Sequence, residues 1–437
     1  LDSENVHKAN NLWRMADFGA KAPGLDWASY FKAAGLQDQA QIDVWQPAAI
    51  TGLSALTTSE PLSAWKDLLI FHTINHAASL LPKACADLNF EFYVHTLQGT
   101  PVQQPRWKRA VGATSSELGD AVGQLYVKHY FPAASKTQIE QLVRNLVAAF
   151  HDRIDTLSWM TPATRAKAKA KLDTLRVGVG YPETWRDYSA LDIRPDDALG
   201  NRLRAEKYEY DHQRAKLGQA VDKGEWWMTP QTVNAVNLPL QNALNFPAAI
   251  LQPPFFDPKA DAAANYGSIG AVIGHEISHS FDNLGAEFDA QGKLDNWWTP
   301  EDLAHFKAAG QQLVQQFNQY QALPGLHVDG QQTLGENIAD VSGLTIAYLA
   351  YHKSLGGTPA PVIDGLSGDQ RFFIAFGQSW RAKIRDAALR QQLTTDVHAP
   401  PSFRAQTVRN LDQWYPAFEV KPQQTLYLEP KDRVKIW

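Results

Sequence analysis

One cysteine, Cys85, and three methionines are all the sulfur in this 437-residue sequence. A lone thiol excludes an internal disulfide, so only packing can hold the fold. With no Cys/His signature beside it, Cys85 reads as a buried apolar filler. Long membrane-spanning runs are missing too. The longest uncharged stretch, Trp226 to Phe256, is broken by Pro239, Pro247, Pro253 and Pro254 and is no membrane helix. No excess of one charge stands out: a net −5 gives no reason to expect nucleic acid or an anionic membrane as partner. An initiator methionine and a signal peptide are also lacking, and Leu1-Asp2-Ser3-Glu4 reads as the start of a processed, trimmed or incompletely resolved chain. What remains is a globular composition, 44% hydrophobic, long enough for two domains.

The chemistry is concentrated in Gly274-His275-Glu276-Ile277-Ser278-His279. On a helix, residues i and i+4 share a face, so His275 and His279 meet and Glu276 stands beside them. That spacing points to a zinc hydrolase with a glutamate base, although five residues taken alone also fit an ordinary surface helix. Catalytic zinc takes three protein ligands and keeps one position open. The third ligand is sought on a second helix, Leu334-Gly335-Glu336-Asn337-Ile338-Ala339-Asp340, where Glu336 and Asp340 lie one turn apart. Glu336 supplies the carboxylate ligand, and Asp340 accepts the free N–H of a ligand histidine.

These two segments resemble the paired signatures of the neprilysin and endothelin-converting-enzyme family of zinc endopeptidases. Further similarities follow in order: Val233-Asn234-Ala235, Phe246 to Phe256, Asp396-Val397-His398-Ala399-Pro400 with Phe403-Arg404, and the closing Trp437. Upstream, Val122 to Val127 and Gly180-Tyr181-Pro182 match as well. The resemblance implies a mainly α fold with a small β-sheet (α+β): a thermolysin-like zinc catalytic domain, residues 186–437, and a helical lid domain, residues 1–185. It implies that His398 steadies the oxyanion and Arg404 binds the carbonyl past the cleaved bond. Asn234 and Ala235 would hold substrate backbone, and Ile250, Phe255, Val272 and Trp380 would line an apolar pocket. Family members carry further N-terminal residues, so a separate N-terminal piece is an expected partner, beside the peptide substrate. The chain is otherwise expected to act as a monomer. The resemblance favours the periplasm or exterior of a bacterial cell, with the cytoplasm as the alternative.

Along the chain, helices are expected at Trp65–Leu81, Lys136–Leu157, Ala163–Val177, Ala205–Leu217, Thr299–Tyr320 and Phe372–Ala387. The alternating Arg165, Lys167, Lys169 and Lys171 read as a solvated face. His72 and His76, four apart but without a glutamate, read as structural. Short strands are expected at Thr232–Val236 and Ala243–Ala249. Asp289 to Asp295 lacks the alternating acids of a calcium loop and reads as a tight turn. Val236-Asn237 and Asn242 to Asn245 depart from the family pattern on the presumed substrate edge, which suggests a narrow substrate. The reading is a zinc endopeptidase cutting before hydrophobic residues. Its alternatives are a zinc hydrolase for a peptide-like natural product or other amide, and an inactive zinc-stabilised binding protein.

Overall fold

The computed structural model describes residues 5–437, which are mainly helical with three small sheets. The chain forms two compact units, Leu1–Glu91 and Phe92–Trp437. The boundary expected near residue 185 lies inside the second unit. In the first unit, β1 (Leu12–Arg14) pairs antiparallel with β2 (Gln41–Asp43) beside a small aromatic core of Trp13, Phe18 and Phe31. Two helices follow, α1 (Pro47–Ser59) and α2 (Leu62–Ala77). On α2, the consecutive Leu68, Leu69, Ile70 and Phe71 are all exposed, so apolar side chains reach the surface on every side of the helix. His72 and His76 are exposed on the same helix, and no cluster of three metal-ligating side chains includes them among the described residues. Cys85 is half-buried rather than a core filler.

The second unit begins with α3 (Arg106–Glu117), α4 (Gly119–Tyr130) and the long α5 (Ala133–Thr156). Its apolar stripe is buried as expected: Ile139, Leu142, Val143, Leu146, Phe150 and Ile154 recur every three or four residues on one face. Next comes α6 (Pro162–Asp173), opened by the Thr161 cap with proline at the first helical position. Here the expectation of a wet basic face needs correction. Thr164, Ala168, Lys171 and Leu172 share the inward face, and Lys171 is buried.

The central sheet joins β3 (Arg176–Gly180), β4 (Val236–Leu238) and β5 (Ala243–Pro247), with α7 (Ala198–Ala215) between β3 and β4 in sequence. The order is β3-β5-β4, parallel between β3 and β5 and antiparallel between β4 and β5. β5 is buried along its whole length and β4 is an edge. The first of these catalytic-side strands is thus four residues later than expected from sequence, because Asn234 and Ala235 stay outside the ladder. Asn242 enters β5 at φ 46°, a left-handed position that asparagine tolerates. The Asp289 turn is a turn: its carboxylate accepts the backbone N–H of Gln291 and Lys293.

The later helices of the unit include α8 (Ala271–His279), α9 (Pro300–Asn318), α10 (Leu334–Ser354) and α11 (Gly368–Ser379). The last ends one residue before Trp380, well short of the expected Ala387. Helices α8 and α10 touch at two glycines. A Cβ on Gly274 would stand 2.5 Å from the Gly343 carbonyl, and one on Gly343 would collide with the His275 backbone. Only hydrogens fit there, and the backbones approach accordingly. Trp437 closes the core: it is buried, donates Nε1–H to the Phe281 carbonyl at 3.1 Å, and packs on Phe150, Phe281, Trp298 and Phe306.

Candidate metal and catalytic site

One helical turn sets His275 above His279 on α8, with ring centroids 4.5 Å apart and planes at 88°. Each ring is held at Nδ1 by a carboxylate. His275 Nδ1 is 2.8 Å from Asp340 Oδ1, and His279 Nδ1 is 2.6 Å from Asp282 Oδ2. Both Nε2 atoms therefore turn to the same point, 2.9 Å from each other. The glutamate from α10 meets them there: Glu336 Oε2 lies 3.1 Å from His275 Nε2 and 3.6 Å from His279 Nε2. Ligand atoms of the three residues all fall within 4.8 Å of one another. Glu336 Oε2 is buried without a properly directed hydrogen bond of its own. Two imidazoles locked at Nδ1 and a carboxylate oxygen facing both Nε2 atoms form the donor set that zinc takes in hydrolases.

Around this cluster the acids are held in different states. Burial alone would raise the Glu336 carboxyl, but His279, His275 and His398 hold it well below the usual range. Burial also opposes the Asp340 charge, yet Arg404 and His275 keep it ionised, at about 2. Glu276, on α8 and 7% exposed, has no such partner, so burial pushes its carboxyl up despite the neighbouring histidines. That is the state suited to a group that must both take and give a proton.

His398 arrives from a late loop, and Arg404 from the end of the short helix Pro401–Arg404 that follows it. His398 Nε2 is 3.0 Å from Glu336 Oε2, and its Nδ1 is 2.8 Å from Asp396 Oδ1. Arg404 is buried and grips Asp340 through two donors, at 2.8 and 2.7 Å, with its guanidinium 4.1 Å above the Trp380 ring. The result is a chain of contacts from Arg404 through Asp340 to His275.

Of the residues expected at the substrate side, Asn234 is exposed and Ala235 is buried just before β4. Ile250 belongs to the main apolar core, while Phe255, Val272 and Trp380 pack on it with part of their surface free. The asparagines expected to alter the substrate edge do otherwise. Asn237 turns inward and donates Nδ2–H to the Glu276 carbonyl and to Ser280 Oγ, both at 2.8 Å. Asn242 and Asn245 are buried; the first bonds Lys171 O and Thr174 Oγ1 at 3.0 Å, and the second accepts the Trp227 N–H. These residues build the interior, so they offer no ground for a narrow substrate.

Three contributors escaped the sequence reading: Asp282, Asp396 and Asn237. Asp282 had a signal in its spacing, three residues after His279 and so within reach of its ring. Asp396 had a weaker one, two residues before His398. Asn237 had only strand alternation, and the strand itself was misplaced.

Comparison with known proteins follows the same outline. Two models described as Peptidase family M13 match in order, over residues 1–182 and 234–434. A Mycobacterium tuberculosis zinc metalloprotease, solved with an inhibitor, is 45% identical, with a TM-score of 0.94 over 100% of this chain and 67% of that one. The neutral endopeptidase of Lactobacillus helveticus is 34% identical over 97% of this chain and 64% of its own length. An endothelin-converting enzyme homolog of Locusta migratoria is 33% identical over 92% of this chain and 58% of its own length. The chain thus spans 58% to 64% of these two curated relatives.

Proposed function

The chain belongs to peptidase family M13, and on that premise we propose that it is a zinc-dependent endopeptidase cutting short peptides before hydrophobic residues. The observation that carries this reading is the convergence of His275, His279 and Glu336 beside a buried Glu276. Those three residues would hold the zinc, which when bound supplies Lewis acidity toward a carbonyl and a water.

The remaining work falls to side chains. Glu276 takes the proton of the attacking water and returns it to the leaving amine, general base turned general acid. His398, its Nδ1 fixed by Asp396, turns its Nε2–H from Glu336 to the oxyanion as it develops. Asp340 and Asp282 keep both ligand imidazoles in one tautomer. Arg404 has five N–H donors and spends two on Asp340; a donor not engaged there would hold the carbonyl past the cleaved bond. The open edge of β4 pairs with an extended peptide, Asn234 and Ala235 extend that pairing, and Ile250, Phe255, Val272 and Trp380 receive the apolar side chain after the cut.

Digestion of an unbiased peptide mixture, read by mass spectrometry for the zinc-loaded protein and its Glu276→Gln variant, tests this. Cuts should fall before hydrophobic residues and drop by roughly a hundredfold to ten-thousandfold in the variant. Cuts that persist in the variant would remove Glu276 as base, and no cuts from the zinc-loaded parent would sink the peptidase reading for this chain.

A further inference from the structure

The sheet that carries the β4 edge has a second face, turned away from α8. Gly178, Asn245 and Val236 are cross-strand partners and so share one face. Asn245 accepts the Trp227 N–H at 3.2 Å, and a Cβ on Gly178 would lie 2.7 Å from the Trp226 ring. The segment around Trp226 and Trp227 therefore covers that face. Asn237 points the other way, to the Glu276 carbonyl on α8 and to Ser280 just past its end. Its neighbour Leu238 lines a cavity of about 660 Å³ bounded also by Trp226, Trp227, α7 and the end of α3. This volume suits a side-chain subsite.

A peptide strand added to the outer edge of β4 sends alternate side chains to opposite faces. Those of one parity face α8 and its histidines. Those of the other parity face this cavity.

Charge identifies what fits. The cavity is lined by five carboxylates and three cations. Arg186, Arg202 and Lys216 are each answered by a glutamate: Glu209, Glu206 and Glu225. Asp120 accepts the backbone N–H of Arg186. Glu117 is partly buried and makes no hydrogen bond or close ion pair among the described residues; burial raises its carboxyl, and its nearest compensation is Arg202, which is already paired with Glu206. Trp227, 71% exposed, lines the same cavity, and an indole is a surface that cations favour.

We propose that this cavity is a subsite for an arginine or lysine side chain of the bound peptide, with Glu117 as its counter-ion. The proposal rests on the peptidase reading for its occupant, but its test does not need turnover. Fluorescein-labelled peptides of neutral sequence, with arginine, glutamine or glutamate placed in turn at each position around the cleaved bond, are titrated against the full-chain Glu276→Gln protein by anisotropy. Arginine should bind roughly tenfold tighter than glutamine, at positions of one parity only. Adding Glu117→Gln should bring that ratio to about one, and adding Glu117→Lys should make glutamate the preferred residue at the same positions. Equal binding of arginine and glutamine peptides, or a preference that survives Glu117→Gln, overturns the subsite. An arginine preference in a chain whose zinc-loaded parent cuts nothing would keep the subsite and discard the peptidase reading. Cleavage without the preference would do the reverse.

Discussion

Lys171 shows how far one side chain can depart from its sequence context. Among alternating basic residues it alone is buried, donating to the Gly285 and Phe288 carbonyls at 2.6 and 2.7 Å beneath the Phe281 ring. Burial lowers its pKa to about 7, against partial help from Asp282 and Asp289. Between that value and the ordinary 10.5, the unfolded chain binds a proton that the folded chain has released. Stability therefore rises with pH across this window, by up to about 1.4 kcal/mol per pH unit, and is flat in this respect below it. Urea titrations at pH 7 and pH 9 should show the parent gaining stability relative to Lys171→Met; parallel changes in the two proteins would refute the shift. The same segment carries Asp282, whose Oδ1 also accepts the Leu284 and Gly285 N–H groups. Lys171 thus steadies, from below, the loop that orients His279.

At the level of elements, two contacts decide whether the site assembles. The first is the glycine crossing of α8 and α10, which brings Glu336 and Asp340 to His275. Gly343→Ala should cost about 1–3 kcal/mol of stability through overpacking. It should also weaken zinc binding, measured by competition with a chelator, because the helices must part. Unchanged zinc affinity would mean that the ligand geometry does not depend on the close approach. The second contact is Asn237, which ties β4 to α8 through the Glu276 carbonyl and Ser280. Removing its two donors in Asn237→Ala leaves a buried carbonyl unpaired, worth about 1–3 kcal/mol. Peptide cleavage should then fall in kcat more than it rises in KM, with partial recovery in Asn237→Gln. Equal turnover by the alanine variant would reduce the contact to packing.

The whole molecule ties its end to its centre. Trp437 sits behind Phe281, two residues past His279, and joins Phe150 of α5 to Trp298 and Phe306. Trp437→Ala should destabilise the second unit by about 3–5 kcal/mol, read as a fall in Tm, with zinc affinity falling in parallel. Intact zinc binding at lowered Tm would separate core from site. Among the described residues no helix is long and apolar enough to cross a membrane, as the proline-broken Trp226–Phe256 run implied. The pairings of His275 with His279 and of Glu336 with Asp340 were legible in the sequence because helical spacing converts directly into a shared face. The stripe of α5 was legible for the same reason. Long-range partnership was not. Whether Lys171 met water or carbonyls, and whether Asn237 faced substrate or helix, depended on which element packed on each face. The grip of Arg404 on Asp340 depended on it too. Local periodicity fixes the direction of a side chain relative to its own backbone, and only the assembled fold supplies what stands opposite.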